Sequence, residues 1–282
     1  MKVLVLADIH GANIAVESII QRVKPALIIL PGDIPSSIDI PSLFSSLNRT
    51  NFRKEYIKNF YHRFIHRANL RQISTMKLLL TNLLQYNIPI LAIHGNTETK
   101  QSRTWIELFA LRNPNLHYIA DSYAVIGSYR FVGFGWTPIH QEEAVLHSPG
   151  EIRLDIEKDI LLDTISKLPR GHTQDILISH TPPYDCDLDY LPHKKIHTGS
   201  QMVRNLLDTG YFEGVISGHL HEAYGAIRTE NWWGVNAGAV VEDRACVIDL
   251  ETKEVAWISQ LIQAPNLESI LYQKRISANY DG

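Results

Sequence analysis

The chain has 282 residues, 45% apolar and 20% charged, with a net charge of −3. That balance excludes a disordered chain, and no apolar run approaches the ~20 residues of a membrane span. The acidic whole argues against a general electrostatic nucleic-acid binder, and two distant cysteines, Cys186 and Cys246, allow neither a disulfide framework nor a CxxC zinc site.

In chain order, "KVLVLA" (2–7) predicts a buried strand, and its apolar run is too short for a secretory signal. A reducing, cytoplasmic compartment is therefore expected. "NIAVESIIQRVK" (13–24) has helical periodicity, and "ALIILP" (26–31) predicts the next strand, so the three make a strand–helix–strand unit with parallel pairing. Residues 35–87 interrupt the pattern: a Ser/Pro-rich loop, "PSSIDIPSLFSS", precedes a long helix over 52–86. Strands follow at "IPILAI" (88–93), "DILIS" (175–179) and "GVIS" (214–217), with helices over 151–168 and 200–209. Residues 116–135 and 225–259, richer in β-branched and aromatic residues, predict antiparallel hairpins. The sum is one mixed α/β domain over 1–282 with two sheets and a helical insertion at about 35–87.

The chain holds thirteen histidines, and their placement matters more than their number. "LVLADIHG" delivers Asp8 and His10 at a strand end, and "LIILPGD" delivers Asp33. "ILAIHGNTE" delivers His94, Asn96 and Glu98; "DILISH" delivers His180; "GVISGHLH" delivers His219 and His221. Ligands of open α/β sheets bind beyond the carboxyl ends of the strands, so five such ends predict one convergent site. If the chain stays extended, His219 and His221 point to the same side. Asp, Asn and His without thiolate suit Mn, Fe or Zn. So many such groups exceed one tetrahedral zinc and fit two metals ~3.5–4 Å apart with a bridging carboxylate, a pair that clamps phosphate and generates a metal-bound hydroxide.

Asp8-Ile9-His10, Gly32-Asp33, Gly95-Asn96-Thr97-Glu98, Ser179-His180 and Gly218-His219-Leu220-His221 stand in the order D-x-H, G-D, G-N-H-[DE], His, G-H-x-H. In this the chain resembles the calcineurin-like metallophosphoesterase superfamily, from residue 3 to about 240. The resemblance implies a four-layer α/β/β/α sandwich with a dinuclear centre between the sheets. It assigns Asp8, His10 and His221 to the first metal, Asn96, His180 and His219 to the second, and Asp33 to the bridge, with manganese favoured for activity. Residues 181–207, with His-Thr-Pro-Pro and a later H-x-G-S, resemble a branch of small bacterial and archaeal members. There His197 and Ser200 would line the phosphate site, His197 and Asn96 being the catalytic candidates. Three positions depart from the pattern. Thr97 replaces the histidine usually assigned as general acid or phosphate contact, Ser36 stands where many members carry Asp or Asn, and "NAGA" (236–239) replaces an NPGS-like segment.

Residues 49–71 carry Arg49, Arg53, Lys54, Lys58, Arg63, Arg67 and Arg71 against Glu55, so this segment is +6 and the remainder of the chain −9. On a helix Phe52, Tyr56, Phe60 and Phe64 form one stripe and the last three arginines another, flanked by His62 and His66. The stripe reads either as an amphipathic helix with a solvated basic face, or as a rim where Arg63 and Arg67 attract an anionic substrate. The expected function is hydrolysis of a phosphodiester or phosphomonoester, nucleotide-like or otherwise small, by metal-bound hydroxide. A catalytically weak binding or scaffold module and, behind it, a nuclease are the alternatives.

Overall fold

The computed structural model describes residues 1–36, 54–139, 151–152, 154–169 and 174–259, without the side chains of 54–62 and of 155. It runs β1 (Lys2–Val5), α1 (Val16–Val23), β2 (Leu27–Pro31), α2 (Lys54–Leu84), β3 (Ile90–Ile93) and α3 (Lys100–Ala110). Then come β4 (Leu116–Tyr118), β5 (Ser122–Ile126), β6 (Tyr129–Phe134), β7 (Thr137–Pro138), β8 (Glu151–Ile152) and α4 (Leu154–Ser166). The last part holds β9 (Asp175–Ser179), β10 (Tyr190–Leu191), β11 (Ile196–His197), α5 (Gln201–Asp208), β12 (Gly214–Ser217), β13 (Gly225–Arg228), β14 (Trp233–Asn236), β15 (Ala245–Asp249) and β16 (Glu254–Ile258).

Two six-stranded mixed sheets form, ordered β16-β15-β1-β2-β3-β4 and β13-β14-β12-β9-β6-β5. Alternation along the strands explains their stacking. Val3, Val5, Leu27, Ile29, Leu91 and Ile93 turn inward against Phe131, Ile176, Ile178, Ile216 and Val235 of the second sheet. Leu4, Leu6, Ile28, Leu30, Ile90 and Ala92 turn outward onto helices α1, α2 and α3. Val132, Leu177 and Val215 do the same under α4 and α5. Each central strand is thus apolar on both faces, which is why these runs read as continuous rather than alternating. The outcome is the α/β/β/α sandwich expected from the resemblance.

Helix α2 lies between β2 and β3, where the helical insertion is expected. Its carboxyl half buries Met76, Leu79, Leu80 and Leu83, one helical stripe, against the first sheet. Gln72 bonds to Ser36 O, Thr97 O, Thr99 N and Ser102 Oγ, beyond the carboxyl end of β3. The turns before Gln72 therefore run on past that end; at 1.5 Å per residue Arg63 lies about 13 Å further along the axis. The loop expected over 35–46 lies outside the described residues beyond Ser36, as do the side chains of Arg49, Phe52, Arg53, Lys54, Tyr56, Lys58, Phe60 and His62.

One local reading changes, and one element is added. Residues 116–135 are antiparallel only in the β5–β6 hairpin; β4 pairs parallel to β3, and β6 parallel to β9. The cause is α3, which makes β3–α3–β4 a crossover unit. Its mostly polar sequence, KQSRTWIELFA, hides it, but its start is marked by Thr99, whose side chain accepts Ser102 N at 3.3 Å.

Candidate metal centre

The carboxyl ends of β1, β2, β3, β9 and β12 come together at one end of the sandwich. Asp8, His10, Asp33 and His219 all take left-handed backbone angles, with φ of 49°, 48°, 51° and 68°. Such angles cost on the order of 1 kcal/mol or more each and persist only where neighbours impose them. Here His10 N bonds to Asp33 O at 2.9 Å and His219 N to Asp8 Oδ2 at 2.8 Å, so the turns hold one another. The left-handed step at His219, followed by a 3-10 turn from His221, breaks the extended geometry expected there. The two rings diverge: His219 lies 4.9 Å from the His180 ring, and His221 lies 5.4 Å from the His10 ring.

Asp8 Oδ1 faces His221 Nε2 at 3.5 Å and His10 Nε2 at 4.0 Å. Asp33 turns Oδ2 to His10 Nε2 at 3.8 Å and Oδ1 to His180 Nε2 at 3.5 Å, one oxygen to each half. Asn96 Oδ1 lies 3.0 Å from His180 Nε2. Potential ligand atoms of Asp8, His10 and His221 lie within 4.8 Å of one another, and so do those of Asp8, Asp33 and His180. Asp8 Oδ1 is buried and has no hydrogen-bond partner among the described residues. An unpaired buried carboxylate oxygen beside imidazole nitrogens fits a cation, and an oxygen and nitrogen donor set without sulfur fits a borderline or hard divalent one. Room for this crowding comes from glycine: a Cβ at Gly218 would collide with the Asp8 carboxylate, and one at Gly95 with Asp33 and His180.

Outer partners fix the rings. His180 Nδ1 pairs with Pro31 O at 2.8 Å, and His221 Nδ1 with Glu242 Oε1 at 2.9 Å, so each Nε2 faces the pocket. Buried Glu98 accepts Ile34 N and Gly95 N, both at 2.9 Å, and locks the Asp33 turn to the Asn96 turn. Glu242 and Gln72 escaped the sequence reading, because neither stands in a motif nor at the end of a predicted strand. Burial and the nearby Asp8 push the Asp33 carboxyl up to about 7, while burial and Asp33 push Glu98 to about 8. Burial and His180 press His219 down to about 3. Burial also lowers His221, but the Asp8 carboxylate at 3.5 Å and the hydrogen-bonded Glu242 lift it to about 9.

The other expected residues fall in distinct places. Thr97 is buried, and its N–H and hydroxyl both donate to Asp33 Oδ1 at 2.9 Å. Ser200 is fully buried; its hydroxyl accepts Val203 N at the start of α5 and donates to Glu157. His197 pairs through Nδ1 with Asp189 Oδ1 at 2.6 Å, and its ring lies 5.1 Å from Tyr190 and 6.0 Å from Tyr184. The loop carrying it is tied to the His221 turn: Asn236 Nδ2 bonds Leu188 O, Leu220 O and Ala223 O, and His193 meets Glu222 at 2.7 Å. Arg63 and Arg67 are exposed on α2 before Gln72. His94 is buried against Tyr118, with Nδ1 2.9 Å from the phenol oxygen.

Three solved structures share this fold. One superposes with a TM-score of 0.71 at 18% identity, covering 92% of this chain and 98% of its own. TT1561 of Thermus thermophilus gives 0.61 at 14% identity, and a dimetal phosphatase from Danio rerio gives 0.52 at 13%, with the same coverages. No curated protein matches the chain. The calcineurin-like phosphoesterase model matches residues 1–223, and with that match, on this fold and around these strand ends, the chain belongs to the calcineurin-like phosphoesterase family.

Proposed function

We propose that the whole chain is one phosphoesterase domain that hydrolyses a small phosphate ester with two divalent metals, manganese serving best. The unpartnered, buried Asp8 Oδ1 among His10, His221 and Asp33 carries this reading. The dimetal character of the Danio rerio neighbour is in keeping with it. Asp8, His10 and His221 would hold one metal and Asn96, His180 and His219 the other, with the Asp33 carboxylate available to both. Metals held there polarise phosphoryl oxygens and lower the pKa of a coordinated water.

The chain's own groups do the rest. Thr97 orients Asp33 through two hydrogen bonds, and its hydroxyl cannot protonate a departing alkoxide near pH 7. His197 acts as the proton donor instead. Asp189 holds its Nδ1, and Nε2, 3.7 Å from the exposed Asp185 Oδ1, delivers the proton from a loop fastened to the His221 turn. Arg63 and Arg67 draw an anionic substrate toward the mouth. The two free cysteines suit a reducing cytoplasm. The test is hydrolysis of p-nitrophenyl phosphate and bis-p-nitrophenyl phosphate with manganese added and then chelated. Metal-dependent turnover of at least one ester is expected. Turnover of neither by metal-replete protein, or turnover indifferent to chelation, refutes the reading.

A further inference from the structure

One corner of the mouth is aromatic rather than polar. Tyr224 precedes β13, the edge strand of the second sheet, and Trp257 lies on β16, the edge strand of the first. Both stand at the metal end. Gly225, next to Tyr224, pairs with Asn236 at the carboxyl end of β14, and Trp257 pairs with Cys246, itself opposite Val5 of β1. The rings meet edge to face at 5.3 Å and 82°, yet the residues are 46% and 42% exposed. Among the described residues no other two exposed Phe, Tyr or Trp rings touch. Val241, also exposed, donates its N–H to Asp8 O at 3.3 Å.

This corner is built onto the metal centre. Tyr224 follows His221 by three residues, and Arg244 lies 4.3 Å over the Tyr224 ring. Its Nη1 donates to His221 O and to Glu242, the carboxylate that holds His221, both at 2.9 Å. Strand β16 is two strand spacings, about 10 Å, from β1, and Asp8 follows the last residue of β1 by three. A ring resting there would have to be joined to a phosphate between the Asp8 and His221 side chains by a link of sugar size or longer, more than a simple alkyl group supplies.

We propose that Tyr224 and Trp257 form a stacking subsite for a planar ring of the nucleobase class, borne by the ester whose phosphate sits at the metals. The inference deepens the phosphoesterase reading and rests on it for the phosphate end. Tyr and Trp faces accept any base by stacking, a contact that alanine removes at a cost of about tenfold or more in affinity. Arg244 covers one side of Tyr224, so the incoming ring packs in the corner between Tyr224 and Trp257.

The probes are hydrolysis-resistant phosphonate analogues of AMP and of ribose 5-phosphate, in equilibrium dialysis with the manganese-loaded full chain. The AMP analogue is expected to bind about tenfold tighter or better. Tyr224→Ala and Trp257→Ala should each bring it close to the ribose analogue, leaving the latter's affinity unchanged, while Trp257→Phe keeps the preference. Equal affinities in the parent overturn the proposal, as does a preference that survives the double alanine variant. Loss of both ligands together also overturns it, since the rings would then only support the metal centre. If neither p-nitrophenyl ester is hydrolysed but the ring preference holds, the phosphoesterase reading fails and the stacking subsite stands.

Discussion

Asp8 and Asp189 are both wholly buried carboxylates in loops at the same end of the sandwich, and their surroundings are opposite. Asp189 accepts four bonds: Cys186 N at 3.0 Å and His197 Nδ1 at 2.6 Å on Oδ1, Asp185 N at 3.1 Å and Gly199 N at 2.9 Å on Oδ2. Asp8 accepts His219 N on Oδ2, and among the described residues its Oδ1 accepts no hydrogen bond and only faces the His221 and His10 rings. The first carboxylate is consumed in closing a loop. The second keeps an oxygen for something the chain does not supply. Leaving a buried acceptor unpaired costs more than a typical hydrogen bond contributes; Asn69 Oδ1 and Asp121 Oδ1 are unpaired too, but only Asp8 Oδ1 of these three stands among imidazole nitrogens, and that combination points to a cation.

The strongest way to break this contrast is to neutralise the two carboxylates in turn. Asp8→Asn should lower bound metal from two equivalents to one or none and cut ester hydrolysis by 10²-fold or more, with folding kept. Asp33→Asn, which removes the charge between the halves, should do likewise. Elemental analysis and initial rates read both. Asp8→Asn protein that keeps two equivalents would remove the basis for reading the unpaired oxygen as a ligand.

Asp189→Asn should show the reverse, and more mildly. An amide there can present only one acceptor oxygen, so at least one backbone N–H loses its partner. Bonds to charged groups contribute roughly 1.5–3 kcal/mol each, and they are not additive. A loss of about 3 kcal/mol in urea unfolding is expected, with metal content unchanged. Metal loss without a stability change would mean that Asp189 serves the centre and not the loop.

The sequence was informative about one of these carboxylates and silent about the other, for physical reasons. Asp8 follows an apolar run on a central strand, and the order of such runs with their terminal Asp, Asn and His residues is local information. The seven proposed ligands needed no more than that, and the double-faced burial of β1, β2, β3, β9 and β12 showed in their unbroken apolar composition. Asp189 lies among Pro, Tyr, Lys and His with no periodicity, and its four partners are backbone and loop groups. Glu242 and Tyr224 matter only because β13–β16 fold back beside β1 and β12. Helix α3 was hidden because it buries only a narrow strip, chiefly Ser102 and Ile106. The divergence of His219 and His221 depends on a left-handed φ that composition does not reveal.

Glu157 supplies an intermediate case, with an effect confined to one pH window. It too is buried, but among the described residues its side chain bonds to the Ser200 hydroxyl alone, and burial raises its carboxyl to about 7. A carboxylate surrounded by N–H groups can stay charged; one facing a single hydroxyl keeps its proton. Because the folded value exceeds the unfolded one, the native state binds more protons between roughly pH 4.5 and pH 7. Glu157 therefore lowers stability as pH rises through that window, and the loss is complete above it. Glu157→Gln removes this ionisation while keeping the shape. Relative to the parent, the variant should gain on the order of 3 kcal/mol at pH 8 and differ little near pH 4.5. Urea midpoints at several pH values, with metal held saturating so that Asp33 and its neighbours contribute equally to both proteins, read the difference. A gap that stays flat with pH would place Glu157 with Asp189, as a carboxylate the fold accepts charged. A gap that widens toward low pH would reverse the sign of the argument.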